Sequence, residues 1–150
     1  NFNKSANALK EACIKIGIDS SNLGGRQHYL RYEILKTPLL WETNGFIYDS
    51  SLGYADQAGF RCGVCYEYTM YDLVNRNKMK LKERPLIVME GSIIEKAYEA
   101  LGFTNKANER FEYFTNICQK FKGDYTLLWH NSKFYHPKAR TLYKKLISIK

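Results

Sequence analysis

No apolar run in this sequence is long enough to cross a bilayer as a helix, and the opening segment NFNKSANALKEA lacks the apolar stretch of a secretory signal. An initiator Met is also missing, and a helical pattern begins almost at once. The chain therefore reads as a processed protein or as the later part of a longer one. Acidic residues are in deficit, 15 against 23 Lys and Arg, for a formal charge of +8. Such a balance favours acidic partners, whether nucleic acid, anionic glycan or a phospholipid surface. The lysines do not form a stripe, however: Lys4, Lys10, Lys78, Lys80, Lys82, Lys120, Lys122, Lys144, Lys145 and Lys150 are scattered over expected polar helix faces and loops, the pattern of a solvated surface. A nucleic-acid module would need those lysines on one face beside exposed stacking aromatics. The continuous apolar strands argue against one. Internal repeats and low-complexity tracts are absent.

A second cysteine pair is lacking too. Cys62 and Cys65 make one Cys-x-x-Cys in FRCGVCYEY, but no other pair and no nearby histidine pair completes a zinc pattern. A redox motif would sit between a strand and a helix, whereas Gly-rich and Tyr-rich loop sequence surrounds this one. Cys13 and Cys118 fall on apolar helix faces, where the residue acts as a small hydrophobe. The expected state is a set of buried, reduced thiols, with metal binding and redox chemistry as alternatives. No oxidising compartment is required, and with no signal in this chain the cytoplasm is favoured.

What is present is enough for one domain over residues 1–150, since 45% of the residues are apolar. Ala6, Leu9, Cys13 and Ile16 recur at helical spacing, and Gly17 closes that helix. Thr37-Pro38 reads as an N-cap followed by proline in the first turn of a short helix that stops at Asn44-Gly45. FIYDSS follows as a short strand, and residues 53–84 read as a long ordered loop with small elements. PLIVME (85–90) is a strand buried on both faces and ending in an acid. Ala107, Phe111, Phe114, Cys118 and Phe121 mark the clearest helix, over 105–122. YTLLWH (125–130) is a second buried strand. A last helix opens at His136-Pro137, with Leu142, Tyr143, Leu146 and Ile147 on one side. The alternation implies an α/β fold with parallel pairing and crossover helices, about half of a closed (β/α) barrel.

In such folds function gathers at the carboxyl ends of parallel strands. Arg26 and His28 of GGRQHYLRY lie near the end of the first candidate strand, Asp49 ends the second, Glu90 the third and His130 the fourth. His130 is either a hydrogen-bonded strand-end histidine or a general acid, since imidazole titrates near neutrality. Asp49 before Ser50-Ser51 is a turn-capping residue or part of a site. Glu90 has Arg26 or Arg31 as a candidate ion-pair partner. Trp41 and Trp129 belong to the core, or an aromatic ring near a polar rim stacks on a sugar. Tyr29 and other tyrosines among the twelve could do the same.

GGRQHYLRY, then Trp41-x-x-x-Gly45-Phe-x-Tyr48-Asp49-Ser-Ser-Leu-Gly-Tyr-Ala-Asp56, then GFRCGVC, PLIVMEG and LLWHN resemble the second half of a polysaccharide deacetylase domain of a bacterial subgroup, over residues 9 to about 146. The resemblance implies a distorted (β/α) barrel of which this chain is the later half, and removal of N- or O-acetyl groups from a glycan with a divalent metal, often zinc. The family's metal ligands and its base lie in two early motifs that this chain does not contain. By the same resemblance His130 matches the acid that protonates the leaving group. Arg26, or less closely Arg31, matches the arginine that contacts the catalytic carboxylate, and His28 and Tyr29 line the same rim. Arg31, Asp49 and Trp129 join them as substrate-binding candidates. Glu90 stands where the family usually has Asp, and Cys62 and Val64 stand where Ala and Thr are common. A non-catalytic carbohydrate-binding or structural barrel protein is the alternative.

Overall fold

A computed structural model describes residues 2–148. The chain divides into two compact units, Asn1–Leu52 with Glu67–Arg84, and Gly53–Tyr66 with Pro85–Lys150. Among the described residues the strands form a four-stranded mixed sheet and a two-stranded parallel pair, so the fold is mixed α/β with no closed barrel. No helix among them is long and apolar enough to cross a membrane.

The first unit holds α1 (Phe2–Lys15), β1 (Gly24–Gly25), α2 (Thr37–Thr43), β2 (Tyr48–Asp49), β3 (Tyr68–Asp72) and β4 (Asn77–Glu83). Both helices stop where the glycines foretold. Gly17 has φ +71°, Ile18 N–H donates to the Cys13 carbonyl at 2.9 Å and Gly17 N–H to Ile14 at 3.2 Å. Gly45 repeats the arrangement at φ +70°, with Phe46 N–H donating to the Trp41 carbonyl at 3.1 Å. A left-handed residue at this position lets the chain turn back and satisfy the last carbonyls, and a hydrophobic contact across the cap accompanies it. Here that contact is Trp41 against Phe46, rings 4.8 Å apart. Trp41 thereby anchors a core of Ala6, Phe46, Met70, Met79 and Leu81. At the other end of α2 the N-cap is Lys36, one residue earlier than expected, while Thr37 Oγ1 accepts from Glu33 N–H at 2.8 Å.

Two expectations fail in this unit. In α1 only Ala6 and Cys13 are buried, while Leu9 and Ile16 are 45% and 70% exposed. The buried stripe is narrow because only the small members of the heptad-like series reach the core, and Ile16 lies past the helix end. Residues 68–83 are not a loop: β3 and β4 form an antiparallel hairpin, and β4 also pairs in parallel with β2. The signal was the alternation in NKMKLKE, which turns Met79, Leu81 and Glu83 inward and leaves Lys78 and Lys80 outside. The sheet order is β1-β2-β4-β3.

The second unit holds β5 (Val88–Met89), α3 (Glu90–Ile94), α4 (Asn105–Lys120), β6 (Leu127–Leu128) and α5 (Pro137–Ile147). Strands β5 and β6 are parallel, Val88 opposite Leu127 and Met89 opposite Leu128, as the apolar runs implied. Helix α4 is capped by Thr104, whose side chain accepts from Ala107 N–H at 3.3 Å. It then buries Ala107, Phe111, Phe114 and Cys118 against Ile87, Val88, Ile93, Leu142 and Leu146. Phe121 and Ile147, expected on the apolar faces, are exposed. Leu127 and Leu128 are only half-buried, so β6 is covered less fully than its sequence implied.

The glycine pair ahead of Arg26 is a packing requirement. A Cβ at Gly24 would come to 2.3 Å of the Tyr48 ring, and one at Gly25 to 3.2 Å of Trp41. The Tyr48 ring also carries the Arg84 guanidinium, 4.0 Å from its centroid. Overpacking at a close approach of this kind costs roughly 1–3 kcal/mol. Gly24→Ala should lower unfolding free energy in urea by an amount in that range; an unchanged midpoint would show that Tyr48 is free to move aside.

Candidate functional site

Each unit places ionisable side chains at the carboxyl ends of its own parallel strands. In the second unit Glu90 follows β5 directly and is fully buried. Its Oε1 accepts from the backbone N–H of His130 at 3.2 Å and lies 2.7 Å from His130 Nδ1. The strands set this contact, because the parallel register of β5 and β6 carries both residues off the same end. His130 itself is half-exposed, with 49% of its side chain open to solvent. Glu90 was expected to pair with Arg26 or Arg31; its partner is His130. The carboxylate fixes Nδ1 as the nitrogen turned inward, which leaves Nε2 for exchange of a proton. Glu90 Oε2 and the indole Nε1 of Trp129 are buried without a hydrogen-bond partner among the described residues. Trp129 is half-buried and packs against Tyr143 at 5.2 Å.

In the first unit Arg26 follows β1, Asp49 ends β2 and Glu83 ends β4, with Asp49 directly opposite Glu83. Asp49 and Glu83 are both fully buried. Arg26 donates from Nε to the Ser50 carbonyl and from Nη2 to Ser50 Oγ, each at 2.7 Å. Asp49 Oδ1 accepts from Ser51 N–H at 3.0 Å and from Ser51 Oγ at 2.5 Å, a turn-capping arrangement. Burial pulls the Arg26 guanidinium down from its usual value, opposed by the charges of Asp49 and Glu83. Burial pushes the Asp49 carboxyl up, opposed by its bonds to Ser51 and by Arg26. Composition alone does not mark Glu83, because the Lys-rich strand that carries it resembles a surface loop.

His28, Tyr29 and Arg31 form an exposed group just beyond Arg26. The His28 ring lies 4.2 Å from Tyr29, and the Arg31 guanidinium 5.8 Å from the Tyr29 ring. Tyr29 and Leu30 both have left-handed backbone, φ 61° and 51°. Side chains other than glycine adopt that region at a cost, here held by the buried Leu30 side chain.

The cysteines form no disulfide. Cys13, Cys65 and Cys118 are buried, Cys62 is half-buried, and burial together with Cys65 pushes the Cys118 thiol up to about 12. Among the described residues no three His, Cys, Asp or Glu side chains come together as metal ligands. Glu90 and His130 offer two donors that already face each other, so the residues here do not fit the divalent metal that the resemblance implies. No family model, curated protein or solved structure matches the chain.

The raised Asp49 carboxyl has a pH consequence. The folded chain holds that proton more tightly than the unfolded chain does, so Asp49 lowers stability as pH rises from about 3.9, the ordinary value, through its raised folded value. Above that value its effect is constant. Asp49→Asn should remove this decline, and the difference between variant and parent in urea unfolding should change with pH only in that window. Parallel curves throughout would show that Asp49 titrates normally.

Proposed function

We propose that the chain is the later half of a polysaccharide deacetylase-like (β/α) barrel, and that His130 is the general acid of a glycan deacetylation. The observation that carries this reading is the buried Glu90 carboxylate on Nδ1 of a half-exposed histidine. In hydrolysis of an acetamide or acetate ester the leaving amine or alkoxide needs a proton as its bond to the acyl carbon breaks. Nε2 of His130 supplies that proton while Nδ1 stays on Glu90. Glu90 is a positioning residue: it holds the ring orientation through Nδ1. Arg26, Asp49 and Glu83 organise the strand ends of the first unit. The substrate class is an acetylated glycan. The metal that the family uses finds no ligand set among the described residues.

The exposed Tyr29 ring, 4.2 Å from the His28 ring, favours a second reading, a carbohydrate-binding chain without turnover. Acetate release from acetylated chito-oligosaccharides by the protein of native length separates the two. With His130→Ala, kcat/KM should fall about 10²–10⁴-fold, the range for loss of a positioned acid. Glu90→Gln should lose a large part of the rate and Glu90→Asp should recover it. Equal activity in the His130 variant would remove the acid assignment, and no acetate release by the parent protein would leave the binding reading in its place.

A further inference from the structure

The first unit contains a cavity of about 530 Å³ that the proposed acid chemistry does not use. Its apolar wall includes Phe2, Leu9 and Trp41, and its polar wall Arg26, Gln27 and Arg31. No Asp or Glu lines it. A cleft of this size, with an apolar wall and a few convergent polar groups, has the form of a small-ligand site.

The polar groups here are predominantly donors. Arg26 spends Nε and one Nη2 donor on Ser50 and keeps Nη1. Arg31 stacks over Tyr29 and forms no ion pair among the described residues. A ligand that complements this wall offers acceptors and a negative charge on one side and C–H surface on the other. Asp49 and Glu83 already balance Arg26, so the charge preference belongs to Arg31, with Arg26 acting as a hydrogen-bond donor.

We propose that this cavity binds an acidic sugar residue, a hexuronate, with Arg31 taking its carboxylate. The sugar rests on the glycan reading above; the carboxylate rests on the cavity alone. A pyranose acid has the required form, with a carboxylate at one end, hydroxyl acceptors around the ring and an apolar C–H face. The guanidinium fork takes a carboxylate through paired N–H donors, which a lysine cannot reproduce.

Isothermal titration of the whole chain with D-glucuronate and with D-glucuronamide, its neutral isostere, tests this. Glucuronate should bind at least tenfold more tightly, roughly the value of one charge-assisted hydrogen bond. Arg31 is exposed, so Arg31→Gln should fold normally and abolish the preference, and Arg31→Lys should retain only part of it. Equal binding of the two sugars, binding of neither, or an undiminished preference in Arg31→Gln would overturn the proposal. The acetate-release assay reports separately. Glucuronate binding without turnover upholds the cavity and removes the deacetylase activity. Turnover by a chain that does not distinguish the two sugars keeps the activity and removes the acidic-sugar site.

Discussion

Burying a carboxylate at the end of a parallel strand is the constraint around which both units are arranged. Asp49, Glu83 and Glu90 end or directly follow β2, β4 and β5, and all three are inaccessible to solvent. An ionised carboxylate taken out of water is costly unless charge and hydrogen bonds compensate it. In the first unit the compensation is a guanidinium reaching across from β1 and a serine turn folded back on Asp49. In the second it is a single imidazole together with its own backbone N–H. The short strands, two residues each for β1, β2, β5 and β6, are long enough to place these groups and little more.

The two solutions differ in what they leave exposed. Arg26 cannot exchange its proton at any ordinary pH, so the cluster around Asp49 and Glu83 is a fixed electrostatic frame. His130 has one nitrogen held by a buried carboxylate and half of its side chain in solvent. It can therefore pass a proton to something outside while its orientation is kept from within. That contrast is why the proposed acid is placed on His130, and why Arg26 is given a supporting part. It also bears on Arg26 substitutions, since removing the guanidinium would leave buried carboxylates beside it without their positive neighbour.

Much of the local structure was legible because it depends on neighbours in the chain. Gly17 and Gly45 close their helices through contacts within six residues. The four-three spacing from Ala107 to Cys118 made α4 plain, and the apolar runs at 85–90 and 125–130 marked β5 and β6. The hairpin of β3 and β4 was missed: its Tyr- and Lys-rich strands look like surface, although the alternation around Met79 and Leu81 was there to be read. Among the site residues, the positions of Arg26, Asp49, Glu90 and His130 at strand ends were legible, and their partners were not. Charge alone pairs Glu90 with an arginine, whereas the register of β5 and β6 gives it to His130.

The sequence by itself determined where the helices end, which segments are apolar enough to be strands, and that polar residues follow those strands, because these are matters of backbone conformation and local hydrophobic pattern. Tertiary structure alone decided that Glu83 joins Arg26 and Asp49, that Leu9 and Ile16 stay exposed, that Gly24 yields its space to Tyr48, and that Glu90 holds His130. Each of these depends on residues at least two dozen positions apart, or on how wide a buried face the core can cover. Pairing, register and close approach across such separations are set by packing, and no local pattern encodes them.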